Sequence, residues 1–328
     1  MTLRVGGRLR VGTRGSALAL AQCTALLAGV RAGGVEVEVV PIVSAGDRTT
    51  ASLASLGGTG VFVTTLREAL LTGEVDAIVH SCKDLPTAPH AGIELAALPR
   101  RADARDALVT ATGAGLADLP AGAVVGTGSP RRRAQVLRAR PDLVVRDIRG
   151  NVDTRLRRVL APRGDDEPLD AVVLAGAGLD RLGRGEVVTE RFALDAWPTA
   201  PAQGVLAVEI RDDAAADVRD VVGELDDAEA RAAATAEREV LRLLEAGCAA
   251  PLGVAVVDGR PDRPVGPPGS TRPTAELDPP VLLARVYALD GTAMIDARAP
   301  LGPGSARAVV EELLAAGAAD LAPLGVGR

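Results

Sequence analysis

The chain has 328 residues, 47% hydrophobic but only 1% aromatic, with 37 Lys and Arg against 43 Asp and Glu and a net charge of −6. That length suits two or three domains with cores of Ala, Val and Leu. The acidic balance argues against nucleic-acid binding, no apolar run reaches the ~20 residues of a membrane span, and 3 Cys and 2 His suit a reducing, cytoplasmic compartment better than a disulfide framework or a His-based metal site.

The N-terminal arginines before Ala17–Val30 have the charge pattern of a signal peptide. The favoured reading is strand, turn, helix: strand Leu9–Val11, turn Thr13–Ser16 with Ser16 as N-cap, and helix Ala17–Ala32 ended by Gly33-Gly34. A strand at Val35–Val43 continues a βαβ rhythm. Helix Val61–Leu71 leads to strand Val75–Val79 and the loop His80–Pro86, then strand Ile93–Leu98 and a charged hinge at Pro99–Ala104. A second series follows: strands Ala107–Thr110 and Ala123–Val125, helix Pro130–Ala139, strand Leu143–Asp147, helix Val152–Leu160 and strand Ala171–Leu174. Trp197–Gly204 reads as a second crossing, before strand Val205–Ile210. Beyond it lie a long helix over Ala228–Glu245, two or three strands between Gly253 and Ala299, and a helix over Ser305–Ala316. The intervening Gly259–Pro280 holds 7 of the 22 prolines and reads as a long loop.

Three turns share one chemistry. Val11–Ser16, Gly126–Arg133 and Arg149–Arg155 each join a strand to a helix N-terminus through glycine and carry arginine. Free N–H groups at such an end attract anions, and Ser16, Ser129 and Asn151 are plausible N-caps. Arginine there opposes the helix dipole, a cost that a multiply anionic ligand would offset. Lys83 is the only lysine beside 36 arginines, which marks a place where a compact, titratable ammonium is wanted. Its neighbour Asp84 adds a carboxylate that nearby arginines would keep ionised, able to stabilise a cation formed in a reaction. Cys248, between Gly247 and Pro251, reads as an exposed loop thiol, whereas Cys23 lies within a helix and Cys82 is ambiguous.

Together these residues resemble the hydroxymethylbilane synthase (porphobilinogen deaminase) family. The matching segments are Gly12–Ser16, Gly57–Phe62, Val79–Pro86, Gly126–Arg132, Arg149–Val152, Pro201–Gly204 and Gly247–Gly253, in family order over nearly the whole chain. The resemblance implies an α/β fold: two domains like the lobes of type II periplasmic binding proteins, over 1–101 with 202–224 and over 102–201, and a small α+β domain over 225–328. It implies a monomeric transferase of tetrapyrrole and heme biosynthesis. Four porphobilinogen molecules would be joined head to tail, with loss of ammonia, on a covalent dipyrromethane cofactor, and linear hydroxymethylbilane released by hydrolysis. On the matching positions, Cys248 would hold the cofactor through a thioether and Asp84 would be the catalytic carboxylate. Lys83, Thr127, Ser129, Arg131, Arg132, Asn151 and Arg155 would bind the cofactor. Arg14, Ser16, Phe62, Arg149 and Gln203 would bind substrate, with Phe62 either on a pyrrole or in the core. The chain departs from the family at Thr59, where lysine is common, and at Gly128, where serine is frequent. The competing reading is a two-lobed binding protein for a small anion, without catalysis.

Overall fold

The structure, a computed structural model, describes residues 8–43, 60–162, 167–247, 250–258 and 279–325. The chain begins with β1 (Leu9–Arg14), α1 (Ala17–Leu26), α2 (Ala28–Ala32), β2 (Val37–Ile42), α3 (Gly60–Leu71), β3 (Ala77–Ser81) and β4 (Ile93–Ala97). It continues through β5 (Asp106–Thr110), β6 (Val124–Gly126), α4 (Pro130–Ala139), β7 (Val144–Arg146), α5 (Val152–Leu160), β8 (Ala171–Ala175), α6 (Gly176–Arg181) and β9 (Glu190–Arg191). After β10 (Leu206–Arg211) and α7 (Ala216–Gly223) come α8 (Ala228–Leu243), β11 (Leu252–Val257), β12 (Val281–Tyr287), β13 (Met294–Pro300), α9 (Ser305–Ala315) and α10 (Ala318–Leu321).

Among the described residues the strands form three sheets, ordered β2-β1-β3-β10-β4, β7-β6-β8-β5-β9 and β11-β12-β13. In the first, β1 runs parallel to β2 and β3, while β10 is antiparallel to β3 and β4. The chain therefore leaves this sheet after β4, builds the second sheet, and returns through β10. The second repeats the scheme, with β6 parallel to β7 and β8 and β5 antiparallel to β8. The third is an antiparallel meander whose core joins Val254, Leu282 and Val286 to Val240 of α8 and Val309 and Leu313 of α9. The expected class, two α/β units and a small α+β unit, is the one observed.

Burial on both faces explains the sequence of the central strands. Ala77, Ile78 and Val79 of β3 are all buried, as are Ala171, Val172 and Val173 of β8, so these strands are uniformly apolar rather than alternating. A smaller cluster of Val63, Cys82, Leu85, Leu98, Ala202, Val205 and Ala234 packs where the crossings, the first sheet and α8 meet. The helix expected over Ala17–Ala32 breaks at Leu27, which is 1% exposed and anchored in the first core, and resumes as the short helix α2, which contains Gly29 and Val30. Helices α6 and α7 were not expected. Gly176 and Gly178 lower intrinsic propensity in α6, and α7 buries only Val221 and Val222. Strand β3 begins at Ala77 rather than Val75, because Asp76 turns to accept from the backbone N–H and guanidinium of Arg10.

Candidate active site

Parallel pairing puts the carboxyl ends of β1, β3, β6 and β7 at the sheet edges where ligands of open α/β folds bind. The three arginine-bearing turns and the Lys83-Asp84 pair all follow these strands. Antiparallel β10 places Leu206 opposite Ser81, which carries Gln203 to the end of β3. Likewise β5 places Asp106 opposite Ala175, at the end of β8.

The predicted caps form as expected. Ser16 Oγ accepts from the Ala19 N–H at 3.3 Å, Ser129 Oγ from the Arg132 N–H at 3.4 Å, and Asn151 Oδ1 from the Thr154 N–H at 2.8 Å. Thr127 is buried, and its Oγ1 accepts from the Ser129 N–H at 3.2 Å. The Gly128 departure has a steric cause: a Cβ there would stand 2.7 Å from the Ile148 carbonyl oxygen, so the turns after β6 and β7 approach too closely for serine. Lys83 and Asp84 lie in a single 3-10 turn, Cys82–Asp84, rather than an open loop.

Arg131 and Arg132 converge on a carboxylate not singled out in the sequence. Asp106 is fully buried. Its Oδ2 accepts from Arg131 Nη1 at 2.8 Å and Trp197 Nε1 at 3.1 Å; its Oδ1 accepts from Arg132 Nη2 at 2.7 Å and Gln203 Nε2 at 2.8 Å. Burial raises the affinity of Asp106 for a proton, but the two guanidiniums outweigh it and hold the carboxyl well below the usual range. Arg131 Nη1 also meets Gln135 Oε1 and the Pro198 carbonyl, so this guanidinium faces the protein interior. The clue to Asp106 was an acid opening an otherwise apolar strand, since a buried carboxylate must be paired.

Gln203 joins the clusters. Its Oε1 accepts from Lys83 Nζ and from Arg132 Nη2, each at 3.3 Å, and its Nε2 also donates to the Ala104 carbonyl at 2.8 Å. Lys83 is pushed down to about 8, first by burial and then by Arg132 and Arg131, against the pull of Asp84 and Asp106. Arg155 is pushed down to about 10 by burial, Arg132 and Arg149. Its Nε donates to the Gly150 carbonyl at 2.9 Å, and Arg149 pairs with Asp147 at 3.0 Å. Arg132 Nε is buried with no partner. This donor set fits a polycarboxylate pyrrole cofactor: it has more cation than the local acids match, one buried N–H without an acceptor, and an ammonium beside an acid.

The structure thus brings together Lys83, Asp84, Arg131, Arg132, Arg149, Arg155 and Gln203. Arg14 and Ser16 occupy the equivalent turn of the first sheet, and α1 meets the second unit where Leu18 lies near Gly178 of α6. Phe62 falls in α3, but its side chain lies outside the described residues, as does Cys248. Cys23 and Cys82 are buried free thiols, pushed up by burial to about 12 and about 11.

Residues 9–219 match the family model described as "Porphobilinogen deaminase, dipyromethane cofactor binding domain". A porphobilinogen deaminase from Leifsonia xyli is 50% identical over 97% of this chain and 95% of its own length. One from Cutibacterium acnes is 46% identical over 96% and 97%. A periplasmic substrate-binding protein of an ABC transporter from Coxiella burnetii is similar at 15% identity and a TM-score of 0.40, over 68% of this chain and 93% of that one. The family match over both large units, with near half-identity along almost the full length, shows that the chain belongs to the porphobilinogen deaminase family.

Proposed function

We propose that the chain is a transferase that joins four porphobilinogen molecules head to tail, with loss of ammonia, on a dipyrromethane primer, and then releases hydroxymethylbilane by hydrolysis. The observation that carries this reading is the mutually repelling set Arg132, Arg149 and Arg155 beside the Lys83-Asp84 turn. A binding site for several carboxylates next to one acid is what chain growth on a polyanion requires.

When bound, dipyrromethane supplies the nucleophilic pyrrole carbon from which the chain is extended. The residues around it have separable roles. Arg132, Arg149 and Arg155 hold acetate and propionate groups, with Ser129, Thr127 and Asn151 shaping the turns that present them. Lys83 Nζ donates to a carboxylate while its Gln203 contact fixes its direction. Asp84 accepts a pyrrole N–H at a carboxylate oxygen, which lowers the energy of positive charge developing on that nitrogen and lets the oxygen take and return a proton. Arg131 acts from behind, by holding Asp106 and through it Arg132. Arg14, Ser16 and Phe62 complete the substrate side, and Cys248 is the thioether position. We take 1–101 with 202–224, 102–201 and 225–328 as the domains. The enzyme would act as a cytoplasmic monomer without nucleic-acid or membrane partners; among the described residues no helix is long and apolar enough to cross a membrane.

The test is the mass of protein made in cells that synthesise porphobilinogen, with peptide mapping around Cys248. Two linked pyrrole units on the Cys248 peptide, absent from Cys248→Ser, are expected. An unmodified chain that stays unmodified after incubation with porphobilinogen would overturn the proposal.

A further inference from the structure

Helix α8 packs in the third unit, yet two consecutive residues on it reach the first. Glu237 is fully buried and receives Arg101 Nη1 at 2.7 Å and Nη2 at 3.0 Å, the Ala202 N–H at 2.6 Å and the Val256 N–H at 2.9 Å. These bonds fix the helix on both crossing segments. Arg238 then extends to the turn after β3. Its Nη1 donates to the Cys82 and Leu85 carbonyls, each at 3.0 Å, and its Nη2 to the Pro86 carbonyl at 2.7 Å.

The three carbonyls flank Lys83 and Asp84 on both sides. The other backbone hydrogen bonds of the turn are the Leu85 N–H to the Cys82 carbonyl at 3.2 Å and the Cys82 N–H to the Val205 carbonyl at 3.0 Å; the Cys82 and Leu85 side chains are buried, Lys83 Nζ meets Gln203, and Ser81 gives no side-chain cap. A guanidinium is planar and its donors have fixed relative directions. Bonding three carbonyls at once therefore sets the tilt of the turn as well as satisfying its oxygens. A backbone rotation that swung the Asp84 carboxylate would break at least one of these bonds.

We propose that Arg238 is a positioning residue that holds the Lys83-Asp84 turn in its working orientation from the third unit. The proposal rests on reading Asp84 as the catalytic carboxylate. Through Arg238, the unit expected to carry the primer is keyed directly to the acid that acts on it.

Because Lys83 is the only lysine, its acylation by an amine-directed reagent, resolved by peptide mass spectrometry, reports the turn without requiring turnover. The wild-type labelling midpoint is expected below that of an ordinary lysine. In Arg238→Met it should rise by about a unit or more toward an ordinary lysine. The kcat should fall about tenfold or more while KM stays within about twofold and the bound pyrrole mass is retained, the pattern of lost orientation rather than lost binding. Arg238→Lys should recover part of both readouts. It also carries the test if Arg238→Met does not fold, because it must then still raise the Lys83 midpoint. An unmoved midpoint in the folded variants, or a kcat loss that Arg238→Lys does not relieve, would overturn the proposal. Asp84→Asn separates the two readings. Wild-type turnover in that variant would sink the role of Asp84, whereas an inactive Asp84→Asn beside fully active Arg238 variants would sink the role of Arg238 alone.

Discussion

Asp106 and Lys83 show two uses of a charge at this site. Asp106 is closed off from water and compensated by two guanidiniums, so its charge is fixed and its neighbours depend on it. Asp106→Asn keeps the shape but leaves Arg131 and Arg132 buried without their anion, which should cost about 3–5 kcal/mol. Urea unfolding followed by Trp197, the only tryptophan and a direct donor to Asp106, measures this; a loss below about 1 kcal/mol would show that the arginines find another partner. Lys83 is depressed to about 8, so its ammonium is lost as pH rises through that value. As the ammonium is lost its hold on the cofactor carboxylate should weaken and tetrapyrrole formation should fall, and Lys83→Arg, always charged, should flatten that limb; an alkaline limb that persists in the variant would assign it elsewhere. Asp84→Asn should keep the pyrrole on the protein while turnover falls about a hundredfold or more. Tetrapyrrole formation at the wild-type rate would remove Asp84 from its role.

At the scale of elements, α3 and β10 are joined by a buried network. Arg67 donates to both oxygens of Glu209, and His80 Nε2 lies 3.2 Å from Oε2. Burial pushes the Glu209 carboxyl up, but the adjacent His80 and the hydrogen-bonded Arg67 outweigh it and bring the carboxyl down to about 2 from 4.5. A depressed carboxyl stabilises the fold fully above its unfolded value and loses that contribution as pH falls, here between about 4.5 and about 2. Glu209→Gln should therefore lower thermal stability at pH 7 and narrow the gap to wild type below pH 4; parallel curves across that window would refute the assignment. The network also marks the limit of legibility. Strands such as Ala171–Leu174 and the capped turns at Ser16, Ser129 and Asn151 could be read because local propensity, burial and capping agree there. The pairing of Glu209 with Arg67, of Asp106 with Arg131, and of Arg238 with the turn after β3 could not, because each joins residues far apart in sequence. The same holds for α6, where glycine argues against a helix and tertiary packing supplies one.

At the scale of the whole molecule, the three units are locked together where the two crossings pass α8. Gly204 has φ +89°, and a Cβ there would stand 2.7 Å from the Ala102 carbonyl, so the crossing strands touch backbone to backbone. On the other side, Val254 N–H donates to the Thr199 carbonyl at 2.8 Å, and Gln135 Nε2 donates to Tyr287 Oη at 3.0 Å. Glu237 lies at the centre, bonded to one crossing through Arg101, to the other through the Ala202 N–H, and to β11 through the Val256 N–H. Glu237→Gln preserves volume but removes the charge that Arg101 faces and turns an amide N–H toward groups that already donate. It should cost about 3–5 kcal/mol, measured by urea unfolding. Because the damage falls where the units meet, proteolysis under native conditions should open the 99–104 and 198–205 crossings before any strand of the sheets. A variant as stable and as resistant as wild type would show instead that the backbone contacts at Gly204 and Thr199 hold the units together without Glu237.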